Sequence, residues 1–576
     1  MAGESYYIGI DVGTGSVRAG LVKNDGTLVA SSTKDTTTWR DSHDHRIFEQ
    51  STTEIWAGIC ACVRDVLAES KVSPADVKGI GFDATCSLTV SDLNGEPVSV
   101  TKGADVGKNG ERNICLWADH RAEEEAELIN SKKSIVLNYV GGTMSLEMEV
   151  PKILWLKKRM DPKLFARCQF FDLPDFLTYH ATGFNTRSVC SITCKESYVP
   201  DKGWQADFFE SIGLPEIPAN GFKQMGAVDG DVLTAGSPVG KGLSKRAAEE
   251  LGLLEGTPVG SGVIDAYAGW LGTIAARHEE GGKLSERVAF EESGHRLAAV
   301  AGTSTCHIVQ SKEGVFVDGV WGPYKDAVFP GWWMNEGGQS STGQLIDFMI
   351  TTHPAYAELK QVAADRKTNI HQVLADTLEE IRKREGAETW TEVLKFMHFY
   401  PDLHGNRSPI ADPRMRGSLM GLTLDSSLHD LARKYALTLE AIALQTRHIV
   451  DALNTAGHTI NTIYMSGSQA QNRAMMRLFA NACHMPVVLP HSYSAAVVLG
   501  AAMLGRFAAE WKPGMSRDEH NKKLWAIMVE MTPPATIVQP SATPKEDKML
   551  EAKYRIFRES IDLQKRWRED MEEASR

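Results

Sequence analysis

Short apolar runs separated by amphipathic helical stretches set the pattern of the chain. Tyr6 to Ile10, Ser16 to Val22 and Thr27 to Ala30 have strand length and strand patterning. The turn Asn24-Asp25-Gly26 between the last two predicts an antiparallel meander. A helix is expected from about Ser51, where Ser51-Thr52-Thr53-Glu54 has the form of a capping box and Ile55, Trp56, Ile59 and Val63 recur at helical spacing. Val77 to Asp83 reads as a buried strand ending in an acid. Far downstream, Leu297 to Ala301 enters Gly302-Thr303-Ser304-Thr305 and leaves through Cys306 to Val309, which repeats the strand, small-residue turn and strand of Ile8 to Arg18. Leu428 to Asn454 predicts a long helix with Leu431, Tyr435, Leu439, Ile442, Ile449 and Leu453 on one side, stopped by Gly457. Ser494 to Glu510, rich in alanine and carrying Gly500 and Gly505, suits a helix seated closely on a neighbour. Thr532 to Pro544, with Pro533, Pro534 and Pro540, reads as a linker. From Met549 to about Trp567 a terminal helix puts Leu550, Tyr554, Phe557 and Ile561 on one stripe that should dock on the body.

Strands interleaved with helices predict an α/β protein, and 576 residues exceed what one core usually supports. The expected division is 1–268, 269–531 and a linker with docking helix over 532–576. The charged segment His278 to Arg296, with Glu279-Glu280-Gly281-Gly282-Lys283, reads as an exposed insertion. Lys+Arg 62 against Asp+Glu 74 gives a net charge of −12, which argues against nucleic acid or an anionic membrane as partner. The start lacks a basic region followed by an apolar run, and no charge-free apolar stretch reaches about 18 residues. Nine scattered cysteines without a repeated Cys-x-x-Cys pair fit reduced thiols. The expectation is a soluble cytoplasmic protein, with a homodimer left open.

Candidate chemistry gathers at strand ends. The turn Gly13-Thr14-Gly15-Ser16 lets backbone N–H groups approach an anion, and the hydroxyls of Thr14 and Ser16 add donors. Asp11 stands where Mg²⁺ riding on nucleotide phosphates would meet it, and Arg18 can screen phosphate charge. An ordinary glycine-rich hairpin is the plain alternative. Gly260 to Gly269 delivers Asp265 to the start of a small-residue helix, where it either accepts a hydroxyl proton or caps the helix. Asp265 occupies the place of the third glycine of a dinucleotide fingerprint, and no Gly-x-x-x-x-Gly-Lys-Ser/Thr occurs, so any phosphates must be held by hairpins. Trp117, Trp155, Trp332 and Trp333 read as packing aromatics, Asp119 and Arg121 as an ion pair, and His43-Asp44-His45 as an exposed loop. Cys190 and Cys194 share a helical spacing without a further ligand, and no zinc is expected.

In this order the motifs resemble the FGGY carbohydrate kinases of the actin, sugar-kinase and heat-shock ATPase superfamily. The resemblance also rests on Leu116-Trp117-Ala118-Asp119-His120-Arg121, Lys152-Ile153-Leu154-Trp155, Gly405-Asn406-Arg407-Ser408-Pro409 with Asp412-Pro413, and Ser466-Gly467-Ser468-Gln469-Ala470-Gln471-Asn472. Phe82-Asp83-Ala84-Thr85-Cys86-Ser87, Cys194-Lys195 and Asn335-Glu336-Gly337-Gly338-Gln339-Ser340 resemble its ribulokinase branch. The resemblance implies two ribonuclease-H-like domains, the first for sugar and phosphate and the second for nucleotide, with the site in the cleft between them. It implies ATP-dependent phosphorylation of a ketopentose, D-ribulose first. L-ribulose, D-xylulose or a pentitol is the alternative, and a non-catalytic ATP-gated regulator is the rival of another class. On this resemblance Asp265 is the catalytic base, and Cys86, Lys195, Asp265 and Glu336 hold the sugar. Asp11 anchors Mg²⁺, while Gly13, Thr14, Gly15, Ser16, Arg18, Gly302, Thr303, Ser304, Gln339, Gly467, Ser468, Gln469 and Asn472 hold ATP. By their local sequence alone, Lys195 reads as a surface strand lysine, and Glu336 serves equally well as the cap of a helix beginning near Ser341. Cys86 replaces a small residue of bacterial L-ribulokinases, and Gly467-Ser468 stands where many relatives carry consecutive glycines.

Overall fold

The computed structural model describes residues 4–226, 232–280 and 282–576, so Gly281 of the expected insertion lies outside the described residues. The meander predicted at the start forms: β1 (Tyr6–Val12), β2 (Ser16–Lys23) and β3 (Leu28–Asp35) are antiparallel. Two parallel strands, β4 (Val77–Ala84) and β5 (Val259–Ile264), complete a five-stranded sheet in the order β5-β4-β1-β2-β3. The second sheet has seven strands: β6 (Arg296–Ala301), β7 (Thr305–Ser311), β8 (Trp321–Lys325), β9 (Trp333–Gln339), β10 (Thr462–Ser466), β11 (Val487–Pro490) and β12 (Ala535–Val538). Their order is β8-β9-β7-β6-β10-β11-β12. Its inner strands β11-β10-β6-β7-β9 reproduce the pairing directions of β5-β4-β1-β2-β3, so the repeated hairpin is one part of a repeated sheet.

The helices that matter below are α1 (Thr52–Ser70), α2 (Val189–Cys194), α3 (Asp265–Leu271), α4 (Gly343–Thr351), α5 (Leu428–Ala456), α6 (Arg473–Cys483), α7 (Ala496–Glu510) and α8 (Pro544–Ala574). Half of the predicted capping box exists: Ser51 accepts the Glu54 N–H, but the Glu54 carboxylate accepts from Thr37 instead of returning to the cap. A division after residue 268 would cut α3, which continues to Leu271. The proline-rich stretch is not a plain linker, because Ala535–Val538 pairs with β11 as the edge strand β12. Proline is tolerated beside an edge strand, where no neighbour needs its missing N–H. The insertion carries a short hairpin, Glu279–Glu280 with Lys283–Leu284, and a 3-10 turn, Phe290–His295. Among the described residues no helix is long and apolar enough to cross a membrane.

One apolar core packs Ile8, Ile10 and Val63 between the first sheet and α1, and another packs Leu297, Leu439 and Ile442 around α5. A third is shared by both sheets and holds Tyr267, Trp270, Tyr464, Leu499 and Met503. Helix α7, from the second half of the sequence, lies against the backbone of the first sheet. A Cβ on Gly9 would stand 1.9 Å from the Val498 carbonyl oxygen, one on Gly81 2.0 Å from that of Ala501, and one on Gly500 1.9 Å from that of Ala268 in α3. Main chain therefore meets main chain at a distance that excludes any side chain. Gly500→Ala tests this seat. Alanine is worth about 1 kcal/mol more than glycine inside a helix, whereas overpacking against rigid backbone costs about 1–3 kcal/mol or more. The clash is expected to win, and the thermal unfolding midpoint should fall by several degrees; a raised midpoint would contradict the contact.

Candidate active site

Strands β1, β4 and β5 run parallel, so their C-terminal ends finish along one edge. Asp11 is in register with Asp83, Val263 is also opposite Asp83, and Asp265 follows directly after β5 as the first residue of α3. Asp83 is fully buried, and its carboxylate finds no protein donor among the described residues. Burial, with Asp11 and Asp265 nearby, pushes Asp83 well above the carboxylate range. Burial also raises Asp11 to about 6 against the pull of Arg18, its partner on β2. Asp265 is raised to about 7 by burial and then by Asp11, opposed by the Ala266 N–H and Lys195. Its Oδ1 accepts that N–H at 2.7 Å, so it tethers the helix start and keeps a second oxygen for other work. Crowded, desolvated carboxylates with orphaned oxygens are a hard-cation donor set, and they fit hydrated Mg²⁺ held by Asp11 with Asp83 behind it.

Two turns flank these acids in the sequence of strands. The Gly13 N–H donates to the Ser16 carbonyl, and the Gly302 N–H donates to that of Ser304. A Cβ on Gly15 or Gly302 would meet nothing within 4 Å, so both turns face open space. The Trp117 indole donates to Thr14 Oγ1 at 3.0 Å and the Gln50 amide to the Thr14 carbonyl at 2.8 Å, which fixes the turn and leaves the Thr14 hydroxyl proton free to donate. Thr303 is exposed, with its carbonyl held by the N–H groups of Thr342 and Gln344. Gly467 has φ 90°, and a Cβ there would lie 2.1 Å from the Ala301 carbonyl oxygen. The Gln469 amide donates to the Gly302 carbonyl at 2.8 Å, tying this loop to the second turn and leaving Ser468 exposed.

Beside the acids lies a buried polar group. Lys195, just past α2, is 1% exposed; its Nζ is 3.9 Å from Glu336 Oε2 and 4.2 Å from the centroid of Trp321. Burial opposes the Lys195 charge, but the Glu336 carboxylate beside it helps hold the ammonium above its usual value. The other Glu336 oxygen accepts from Arg407, whose guanidinium lies 4.0 Å over Trp321 and donates to Cys306 Sγ at 3.5 Å. Lys195 Nζ and Glu336 Oε2 make no hydrogen bond, so a buried donor and a buried acceptor stand ready for a ligand. Cys86 is half-buried, and burial keeps it a thiol.

The N-terminal domain of the FGGY family of carbohydrate kinases matches residues 6–272, and its C-terminal domain matches 297–509. A D-ribulokinase of Saccharomyces cerevisiae is 46% identical over 520 residues, covering 88% of this chain and 72% of that one. The chain belongs to the FGGY family of carbohydrate kinases. The FGGY carbohydrate kinase domain-containing protein of Homo sapiens is 40% identical over 565 residues, 98% of this chain and 97% of that one. A solved xylulose kinase from Rhodospirillum rubrum shares the fold, with a TM-score of 0.72 over 98% of this chain and 99% of that chain at 19% identity.

In this FGGY kinase three of the residues expected at the nucleotide also make bonds within the protein. The Gln339 side chain is buried and donates to the Ile442 carbonyl and Thr446 Oγ1, bracing β9 on α5 rather than facing ATP. Asn472 caps α6 through the Met475 N–H and donates to the Tyr435 hydroxyl. Arg18 donates to the Ser494 carbonyl at 3.0 Å, which links β2 to the loop entering α7. Glu336 is inside β9 and caps nothing, since α4 begins at Gly343 after Thr342. Lys195 is neither on a strand nor on the surface. Asp119 and Arg121 form the expected pair, joined by Glu49. Asp83, whose signal is a strand ending in an acid, Arg407, visible only as part of a motif, and Trp321 and Glu147, which carry no local signal, stand beside the expected residues, Glu147 at 3.7 Å from Arg407. In the ligand-free kinase, Asp265 should be protonated below pH about 7 and ionised above it. The infrared difference between wild type and Asp265→Asn, followed with pH, should show a carboxyl band lost with that midpoint; a midpoint near the ordinary aspartate value of 3.8 would refute the desolvated setting.

Proposed function

We propose that this carbohydrate kinase transfers the γ-phosphoryl group of ATP to the terminal hydroxyl of D-ribulose, giving D-ribulose 5-phosphate and ADP. The observation that carries the reading is the buried, unpartnered pair Lys195 Nζ and Glu336 Oε2 next to Asp265. A desolvated donor and acceptor accept a polyol that satisfies both and reject one that leaves either unpaired. The 46% identity to a yeast D-ribulokinase supports the choice of sugar. Nine cysteines, all free, suit a cytoplasmic enzyme.

Phosphoryl transfer passes through a loose transition state with charge on the moving oxygens, so the protein's work is chiefly positioning and electrostatics. Lys195 and Glu336 orient the sugar oxygens, with the Cys86 thiol on the pocket wall. Asp265 accepts the hydroxyl proton as the oxygen attacks, a task suited to a carboxylate whose proton affinity is raised toward neutrality. The turns of Gly13 to Ser16 and Gly302 to Ser304 hold phosphate oxygens through backbone N–H groups and the Thr14 and Thr303 hydroxyls. Asp11 and Asp83 would hold the hydrated Mg²⁺, which supplies charge neutralisation on the phosphates when bound.

The test is ADP release with Mg-ATP across D-ribulose, L-ribulose, D-xylulose, ribitol, L-arabinitol and glycerol. D-ribulose should give the highest kcat/KM, and Asp265→Asn should lower it by about 10²–10⁴-fold. The rate should fall about tenfold per pH unit on an acidic limb at or below about 7, because protonated Asp265 cannot take the hydroxyl proton and a bound cation favours its ionised form. Another sugar leading the panel would redirect the specificity, and full turnover by Asp265→Asn would remove the base.

A further inference from the structure

Beyond Lys195 and Glu336 the polar row continues. Arg407 is 6% exposed at its side chain, and besides binding Glu336 it lies 3.7 Å from Glu147 Oε2. Its seat is made by the sheet: a Cβ on Gly338 would stand 2.8 Å from the guanidinium, so only glycine at that position lets Arg407 lie flat between Trp321 and Cys306. The Glu147 carboxylate is nearly buried, yet among the described residues it accepts no hydrogen bond, and its one charge contact is the long approach to Arg407. Glu147, Arg407 and Trp321 line a cavity of about 170 Å³, to which Ser340, Asn130 and His120 add polar groups. Arg407 and Trp321 thus touch the buried pair on one side and this cavity on the other. Such a volume suits a small polar molecule rather than a peptide or a second nucleotide.

We infer that Glu147, oriented by Arg407, is the acceptor for the sugar hydroxyl at the end of the chain remote from the phosphorylated one. This rests on the pentulose reading above and adds a specificity-determining residue to it. The row runs from Asp265 through Lys195 and Glu336 to Arg407 and then Glu147. A sugar whose terminal hydroxyl is presented to Asp265 therefore extends its other end toward Glu147. The Glu147 carboxylate faces this cavity with no protein donor within hydrogen-bond distance among the described residues, and a hydroxyl supplies a single donor of the right kind. The row balances Lys195 and Arg407 against Glu336 and Glu147, so it favours a neutral polyol, and an aldonate would bring a third carboxylate against two.

The experiment compares kcat/KM for D-ribulose and 1-deoxy-D-ribulose in wild type, Glu147→Ala and Glu147→Gln. Wild type should prefer the parent sugar by about tenfold or more, since a site built to bond a hydroxyl discriminates strongly against its absence. Glu147→Ala should bring that ratio close to one. Glu147→Gln, which keeps an acceptor oxygen, should recover part of it and carries the test if the alanine variant does not fold. If Glu147 were only the counter-ion of Arg407, both sugars would lose equally and the ratio would stand unchanged, which would overturn the assignment. A wild type that discriminates weakly would overturn it as well. A wild type that turns over neither pentulose would instead remove the pentulose reading, and this inference with it.

Discussion

The close seat of α7 on the first sheet is the constraint on which the arrangement depends. Carbonyl oxygens of one half of the chain stand where side chains of the other would be, at Gly9, Gly81 and Gly500. Contacts at such distances gain dispersion energy only while both surfaces keep their shape, because a gap of a fraction of an ångström forfeits much of it. The shared core of Tyr267, Trp270, Leu499 and Met503 adds apolar burial around the same seat. The result is two sheets built on one repeated strand pattern and joined through a broad, rigid contact, with the two glycine turns and the acids at strand ends nearby in the chain.

Parallel strands explain the electrostatics of the site. Three of them end together, so their terminal acids are brought into mutual repulsion inside a desolvated edge, and Asp11, Asp83 and Asp265 are all shifted upward by burial. The cationic residues answer from two sides: Arg18 across the β1 ladder, and Lys195 from the end of α2. Lys195 in turn is balanced by Glu336. A charge arrangement of this kind is costly without ligands and is relieved by a cation and a polyol.

Local patterning carried much of the fold. Both turn-containing hairpins were legible because small residues interrupt apolar runs at Gly13 to Ser16 and Gly302 to Ser304, and the glycines of α7 announced close packing. The edge strand Ala535–Val538 was hidden by Pro533 and Pro534 before it and Pro540 after it, which mark a linker as readily as they flank an edge. Lys195 follows Ile192 and Thr193, which favour strands, yet it ends a helix because tertiary packing overrides propensity in so short an element. The pairing of Lys195 with Glu336, the stacking of both Lys195 and Arg407 on Trp321, and the approach of Glu147 join segments far apart in sequence, so no spacing rule reveals them. Gln339 lay within a recognised motif, and only its buried bonds to α5 separate a bracing role from a ligand-facing one.

Asp265 opens α3, and Ala268, three residues on, is the residue whose carbonyl meets Gly500. Asp265 is thus tied, through less than one helical turn, to the rigid seat that joins the two halves of the sequence. Anything that shifts the seat therefore shifts the start of α3 with it. Packing the two halves and setting this carboxylate are, in this architecture, one problem.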